Sequence, residues 1–105
     1  MAFKHISITD TLALLGKNDV VIADIRDANS YQAGHIPDSE HLSNENIAEF
    51  MMNKEFEQPI IIVCYHGISS QGAANYLAEQ GFENVYSMDG GFTGWQAQYP
   101  EQVAQ

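Results

Sequence analysis

Hydrophobic and polar positions divide this chain into short apolar runs that alternate with segments of helical spacing. The run from Ile60 to Val63 is entirely β-branched, which is typical of a strand buried on both faces of a parallel sheet. Four more apolar runs predict strands at residues 3–8, 20–25, 41–43 and 84–88. Between them, apolar spacings of three and four predict helices. The alternation predicts an α/β fold with a mostly parallel, five-stranded sheet, in a single domain that spans residues 1–105.

Capping and turn residues predict where several of these elements begin and end. We expect the first helix to open at Thr9 and to end at Gly16, and a turn to follow at Asn18-Asp19. Asn44 is the expected cap of a helix before the central strand. Gly81 is the expected stop of the helix that follows that strand.

The central strand leads directly into Cys64, the only cysteine of the chain. After the loop 65–68 come Ser69 and Ser70, either of which is suited to cap a helix. Open α/β sheets bind ligands at the carboxyl ends of their strands, and a helix N-terminus favours thiolate over thiol. Gly67 lets the loop amides converge on an anion. The arrangement therefore predicts a nucleophilic thiolate in a cradle for a small anion.

Several residues have both a structural and a functional interpretation. Cys64 is either this nucleophile or a buried structural cysteine, and its position favours the nucleophile. Asp24 and Arg26 either contact substrate or form an ion pair at the end of the second strand, which we favour because unpaired buried charge is rare. We likewise expect hydrogen bonds to hold His35 in its loop rather than a proton-carrying role. Trp95 is expected to close the core rather than to line a binding site.

Charge and composition narrow the range of functions. The chain has 14 acidic and 4 basic residues, a net charge of −10, which argues against nucleic acid and anionic membranes as partners. Because there is no apolar run of membrane-spanning length, no signal-peptide pattern and only one cysteine, we expect a cytoplasmic protein. No basic residue follows Lys54. An anion at Cys64 must therefore be held mainly by amides and hydroxyls, unless Lys4, Lys17, Arg26 or Lys54 folds back over it.

Three motifs resemble those of the rhodanese-homology family. They are the first signature, at residues 24–27, Tyr31 and 34–37; a six-residue active loop, at residues 64–69; and the last signature, at residues 89–92 with Trp95. The motifs follow in the family's order and spacing and cover nearly the whole chain. Each alone is weak, but together they are highly specific.

The resemblance implies a single rhodanese-like domain with helices on both faces of the sheet, and thiosulfate:cyanide sulfurtransferase activity. Cys64 would carry sulfur as a persulfide, and sulfite would leave. The loop residues implied to bind substrate, through amides and side chains, are Tyr65, His66, Gly67, Ile68 and Ser69. The implied acceptor is cyanide or a protein dithiol, with thioredoxin as one candidate. No cofactor and no metal are implied, and no feature of the sequence sets an oligomeric state.

This chain departs from many rhodaneses, which place Arg or Lys in or beside the loop. Here the corresponding positions are Tyr65, His66, Ile68 and Ser69. The missing cation predicts weak thiosulfate binding with a high Michaelis constant. His66 either supplies positive charge when protonated or is simply exposed. Ser69 is expected to bond the persulfide sulfur, to cap the helix, or to do both.

Other functions fit the sequence less well. A phosphatase of the Cys-x5-Arg type needs an arginine where Ser70 stands, and a thioredoxin-type reductase needs a second cysteine. Zinc ligation by Cys64, His66, His35 and His41 does not match common ligand spacing. The main alternative is a sulfur-carrier or sensor module that works with a partner protein and has little turnover of its own.

Overall fold

The computed structural model describes residues 3–17 and 19–105. Its strands are β1 (Lys4–Ile6), β2 (Val21–Asp24), β3 (Glu40–His41), β4 (Ile60–Val63) and β5 (Val85–Met88). Its helices are α1 (Ile8–Leu14), α2 (Ala28–Ala33), α3 (Ile47–Met52), α4 (Ser69–Glu79) and α5 (Gly91–Gln98). Of the turn predicted at Asn18-Asp19, Asn18 lies outside the described residues, and Asp19 lies in a turn.

The five strands form one sheet in the order β1-β5-β4-β2-β3, and every neighbouring pair is parallel. This confirms the predicted α/β fold. The β-branched strand β4 lies in the middle, where Ile60 pairs with Val21 on one side and with Val85 on the other. A parallel sheet of this kind brings the carboxyl ends of all its strands to one edge. Cys64 lies at that edge, directly after β4.

Both faces of the sheet are buried, which explains the unbroken apolar run of β4. Its four residues are 0% exposed, and they alternate between two hydrophobic cores. Helices α3 and α4 cover one core with Phe50 and Leu77. Helices α1 and α5 cover the other, where Trp95 is fully buried and its indole N–H donates to the Gln102 carbonyl at 2.8 Å. Helices on both faces, and the role of Trp95 in closing the core, are thus confirmed.

The first helix begins earlier than predicted, and β1 is correspondingly shorter. Ser7 is the cap, because its hydroxyl accepts the Asp10 amide at 3.0 Å, so α1 starts at Ile8 and not at Thr9. The predicted end is confirmed, since Gly16 follows the last helical turn. Ser7 lies two residues before Thr9 and accepts a free amide of the first helical turn, so the helix begins earlier than the pattern at Thr9 and Asp10 indicates.

The start of α3 was also predicted wrongly, because Asn46 and not Asn44 occupies its N-cap position. The Asn46 side chain accepts the Ser43 amide at 2.8 Å and donates to the His41 carbonyl at 2.9 Å. These two bonds fold the connection after β3 back on itself. Strand β3 accordingly ends at His41 and does not extend to residue 43.

Candidate functional site

The loop after β4 curls around the sulfur of Cys64. The Gly67 amide donates to Sγ at 3.1 Å and the Ser70 amide at 3.3 Å, and the Ser70 hydroxyl oxygen lies 3.2 Å from the same atom. The cysteine is only 4% exposed. A buried sulfur that accepts several N–H groups is stabilised in its anionic form.

The loop keeps this shape because it packs directly on the turn after β5 and on the first residues of α5. The amide of Phe92 donates to the Cys64 carbonyl at 2.7 Å, and that of Thr93 to the Tyr65 carbonyl at 3.0 Å. The two segments approach so closely that a Cβ on Gly91 would lie 2.3 Å from the Tyr65 carbonyl oxygen. Gly67 itself has a φ of +86°, a conformation that other residues rarely adopt. The glycines of both segments are therefore requirements of the site.

Neither serine at the start of α4 acts as the predicted cap. Ile68 occupies the N-cap position, and no side chain caps the helix. Ser69 is exposed and its hydroxyl makes no hydrogen bond with the described residues, whereas Ser70 is fully buried and faces the sulfur. The predicted helix end is confirmed, since α4 stops at Glu79, two residues before Gly81. The loop places both serines inside the first helical turn, so they cannot take the extended conformation of a cap.

The pKa of the Cys64 thiol reflects two opposing effects. Burial raises the pKa of the thiol, because it removes the charged form from water. Hydrogen bonds from the Ser70 hydroxyl and from the amides of Ser70, Gly67 and His66 lower it, and their sum prevails. The pKa of Cys64 therefore lies below its ordinary value, and no charged side chain contributes to the shift.

The hydrogen-bond chain continues from the sulfur into the core. The Ser70 hydroxyl lies 2.7 Å from that of Ser87, a fully buried residue of β5. Sequence reasoning did not identify Ser70 or Ser87 as members of the site. The available signal was a serine inside an otherwise apolar strand, because a buried hydroxyl needs a partner.

The neighbouring strand end holds the predicted ion pair. Arg26 donates from Nε and Nη2 to the Asp24 carboxylate at 2.8 to 3.1 Å, and Nη2 also reaches the Gly34 carbonyl at 2.6 Å. Both side chains are buried. This confirms the structural interpretation of the pair. Lys54 is paired with Glu40 at 2.7 Å. Arg26 thus lies near the loop, with Cζ 5.7 Å from the centre of the Tyr65 ring, but its charge and that of Lys54 are already paired with carboxylates.

Tyr65, the first residue of the loop, is fastened to the start of α2. Its hydroxyl donates to the Asp27 carboxylate and lies 2.6 Å from the Ser30 hydroxyl. The hydrogen bond from Tyr65, followed by those from the Ser30 amide and hydroxyl, lowers the pKa of Asp27 to about 2. The hydrogen bond between Tyr65 and Asp27 joins residues 38 positions apart, and no local sequence pattern indicates such a contact.

The remaining predicted site residues are exposed or belong elsewhere. His66 and Ile68 lie at the open side of the loop, and Ile68 is 75% exposed. His35 lies in the loop after α2, as expected, with Nδ1 2.7 Å from the Tyr31 carbonyl oxygen. His41 contacts the Arg26 carbonyl. In the described residues no three histidine, cysteine or carboxylate side chains come together as a metal site.

A groove of about 640 Å³ opens at the carboxyl ends of β2 and β3. It is bordered by Asp27, which binds Tyr65 of the loop, and by Ala73, one turn into α4. The rest of its wall combines apolar residues such as Leu42 and Ile47 with polar and charged ones such as His41 and Glu45. An open groove of this size therefore lies beside the loop.

The described residues contain no helix with both the length and the apolar character to cross a membrane.

A family model described as "Rhodanese-like domain" matches residues 7–98. A protein of Pseudoalteromonas translucida named "Thiosulfate sulfurtransferase GlpE" is 80% identical over 103 residues, 98% of each chain. One of the same name from Shewanella oneidensis is 50% identical, over 90% of this chain and 93% of its own. A crystal structure from Staphylococcus saprophyticus, 23% identical, shares the fold with a TM-score of 0.81, over 98% of this chain and 100% of its own.

Proposed function

This chain belongs to the rhodanese-like domain family, and we propose that it is a thiosulfate sulfurtransferase in which Cys64 carries the transferred sulfur. The observation that carries the proposal is the sulfur of Cys64, which accepts hydrogen bonds from the amides of Gly67 and Ser70 at the N-terminus of α4. Relatives that match nearly the whole chain carry the name of this activity.

The first half-reaction forms a persulfide. The Cys64 thiolate attacks the outer sulfur of thiosulfate, a new S–S bond forms, and the sulfur–sulfur bond of thiosulfate breaks. Sulfite leaves with the electron pair of that bond. The cysteine then carries one additional sulfur with a negative charge, as a covalent intermediate.

The second half-reaction returns the enzyme to its thiolate form. A thiophilic acceptor attacks the terminal sulfur, and Cys64 leaves as a thiolate. Cyanide gives thiocyanate, and a protein dithiol gives its own persulfide. The chain has no second cysteine to take the sulfur, so the acceptor comes from outside. Thioredoxin is one candidate, and the groove beside the loop has room for a protein segment.

The loop supports both steps through neutral dipoles. Fixed N–H groups stabilise developing negative charge without having to reorient during the reaction. The amides of Ile68 and Ser69 hold no hydrogen bond with another described residue, so they are free to bind the sulfite portion of the substrate. His66, Tyr65 and the exposed face of the loop complete the proposed substrate site.

Thiosulfate is expected to bind weakly. Arg26 is committed to Asp24, and Lys54 is paired with Glu40. With both of these cations already paired, a dianion gains little long-range attraction from a protein of net charge −10. We predict a high Michaelis constant for thiosulfate. A micromolar constant at low ionic strength would contradict this part of the proposal.

Turnover tests the proposal against the sulfur-carrier or sensor alternative. Wild-type protein mixed with thiosulfate and cyanide should release thiocyanate and sulfite in equal amounts through many cycles. Cys64→Ser should fold normally and release neither. A wild-type protein that yields at most one thiocyanate per chain would support the alternative, in which the partner protein completes the cycle. Hydrolysis of an aryl phosphate by the same sample would point to a phosphatase.

A further inference from the structure

The described residues contain five buried polar side chains, and two of them have only each other and the sulfur as partners. Thr11 donates to the Ser7 carbonyl at 2.8 Å, and Asp24 is paired with Arg26. The two that remain, Ser70 and Ser87, are both 0% exposed. Their oxygens lie 2.7 Å apart, and Ser70 alone contacts Cys64.

Ser87 stands at a position that would otherwise suit an apolar residue. It pairs with Ile62 in the sheet and faces α4 together with Val85, whose side chain packs in the core that α4 covers. A hydroxyl there is costly unless it is hydrogen-bonded. In the described chain its only hydrogen-bond partner is the Ser70 hydroxyl.

The single proton on each hydroxyl gives this contact a direction. When the Ser87 hydroxyl donates to Ser70, the Ser70 proton is free to donate to Cys64 Sγ, and both hydroxyl protons are used in hydrogen bonds. When Ser70 instead donates to Ser87, the Ser87 proton has no acceptor among the described residues. The first arrangement is therefore favoured, and it presents a hydroxyl proton to the sulfur.

We propose that Ser87 is a positioning residue, which holds the Ser70 hydroxyl in the direction that donates to Cys64 and thereby favours the thiolate. Donation from Ser87 also polarises the Ser70 hydroxyl and strengthens its bond to the sulfur. The inference deepens the proposed function, since it concerns the nucleophile of that reaction. The same direction suits the persulfide, whose sulfur is also anionic.

Other ionisable groups do not take part in this chain of bonds. Those on the surrounding elements are Tyr65 and His66 in the loop, Asp24 and Arg26 at and after the end of β2, Tyr76 and Glu79 in α4, Tyr86 and Asp89 in and after β5, and Lys4 and His5 in β1, where His5 pairs with Ser87. No ionisable side chain among them hydrogen-bonds to Cys64 Sγ or to either serine hydroxyl in the described structure. Asp89, which follows β5, is paired with His5.

The test is the pH dependence of Cys64 alkylation by iodoacetamide, which reports on one thiol because the chain has one cysteine. Ser70→Ala should raise the pKa of Cys64 by about one to two units, and Ser87→Ala by roughly half a unit to one unit. In a Ser70→Ala background, Ser87→Ala should have no further effect. Thr11→Val removes a buried hydroxyl that bonds to the Ser7 carbonyl and not to the sulfur, and it should leave the pKa of Cys64 unchanged.

Two results of the alanine variants would overturn the inference. One is a Ser87→Ala variant in which the pKa of Cys64 is the same as in the wild type. The other is an equal shift from Ser87→Ala with and without Ser70, which would indicate a change in packing. Ser87→Thr keeps the hydroxyl and should stay near the wild-type value, and a shift as large as that of Ser87→Ala would also count against it. Because alkylation needs no thiosulfate, a failure of sulfur transfer would be seen separately, as lost turnover with these shifts intact.

Discussion

Two neighbouring strand ends at the carboxyl edge of the sheet handle charge in opposite ways. Strand β2 ends at Asp24, and Arg26 follows two residues later; the full charges of these two residues are buried and bonded to each other. Strand β4 ends one position from Cys64, whose sulfur is surrounded by neutral donors from Gly67 and Ser70. The two ends are paired residue by residue, since Asp24 lies opposite Val63.

The difference shows that the buried full charges stabilise the fold around the loop, whereas the dipoles of neutral donors stabilise the anionic nucleophile. Arg26 ties β2 to the Gly34 carbonyl and lies 4.0 Å from the ring of Phe92, so it fixes the surroundings of the loop. The environment of the sulfur has to bind an anionic substrate and then release an anionic product. Neutral N–H groups can do this without holding product as tightly as a full positive charge would.

The largest effect should come from breaking the charged strand end. Arg26→Leu leaves the Asp24 carboxylate buried without its partner, and we expect a loss of about 3–5 kcal/mol in the free energy of unfolding. Chemical denaturation measures it. Lys54→Leu breaks a pair whose carboxylate is 47% exposed, and it should cost no more than about 1 kcal/mol.

Measurements of turnover should distinguish the structural role of the end of β2 from the chemical role of the end of β4. Arg26→Leu should keep most of its turnover wherever it remains folded, since the guanidinium does not contact the sulfur. Loss of turnover in a sample that is folded and cooled well below its melting temperature would place Arg26 in the chemistry. Equal stability losses in Arg26→Leu and Lys54→Leu would refute its structural role.

The next effect comes from disturbing the neutral cradle. A Cβ on Gly67 would lie 2.9 Å from the Gly90 nitrogen and 3.1 Å from the Met88 oxygen, at a φ of +86°. Gly67→Ala should therefore cost about 1–3 kcal/mol of stability. It should also lower turnover roughly tenfold to a hundredfold, because the Gly67 amide moves away from the sulfur.

Gly72→Ala is the matched control for that substitution. Gly72 lies in α4, and a Cβ there would meet no atom within 4 Å. We expect unchanged turnover and a gain of up to about 1 kcal/mol, because alanine favours the helix. A Gly67→Ala enzyme with wild-type turnover would show that the loop amides do not act on the reacting sulfur.

The lowered pKa of Cys64 should appear as a pH-dependent contribution to stability. An acid whose pKa is lower in the folded state stabilises the protein fully above its unfolded pKa, which is about 8.5 for a thiol. That contribution is lost as the pH falls through the folded pKa. The stability difference between wild type and Cys64→Ala, measured by urea unfolding, should therefore favour wild type more at pH 9.5 than at pH 6. A difference that shrinks as pH rises would mean that burial outweighs the hydrogen bonds.

The smallest effect should come from adding charge to the cradle. His66→Arg places a permanent cation on the exposed loop, and we expect the Michaelis constant for thiosulfate to fall about fivefold at low ionic strength. The gain should shrink in high salt. Gln80→Arg adds the same charge at the other end of α4 and should leave the constant nearly unchanged. Equal effects from both variants would mean that net charge, and not the loop, governs binding.

The strands, their parallel arrangement and the position of Cys64 were predictable because they depend on local runs of residues. Strand β4 illustrates this, since four β-branched residues in a row fit few environments other than a central strand. The buried pair of Asp24 and Arg26 was predictable for a related reason. When two residues of opposite charge lie at the end of an apolar strand, each has few other partners with which its buried charge can pair.

Helix starts and the inner part of the site depend on contacts between distant segments. Ser69 and Ser70 look equivalent in sequence, but the curl of the loop turns one to solvent and the other to the sulfur. Ser87 acquires a partner only because α4 packs over β5. The bond from Tyr65 to Asp27 likewise requires α2 and the loop to meet at one edge.

Intact-protein mass spectrometry after incubation with thiosulfate, without reductant, tests most directly that Cys64 carries the sulfur. The account predicts that the wild type gains the mass of one sulfur atom, that cyanide removes it with release of thiocyanate, and that Cys64→Ser gains nothing. No gain on the wild type at millimolar thiosulfate, or an equal gain on Cys64→Ser, would contradict the account.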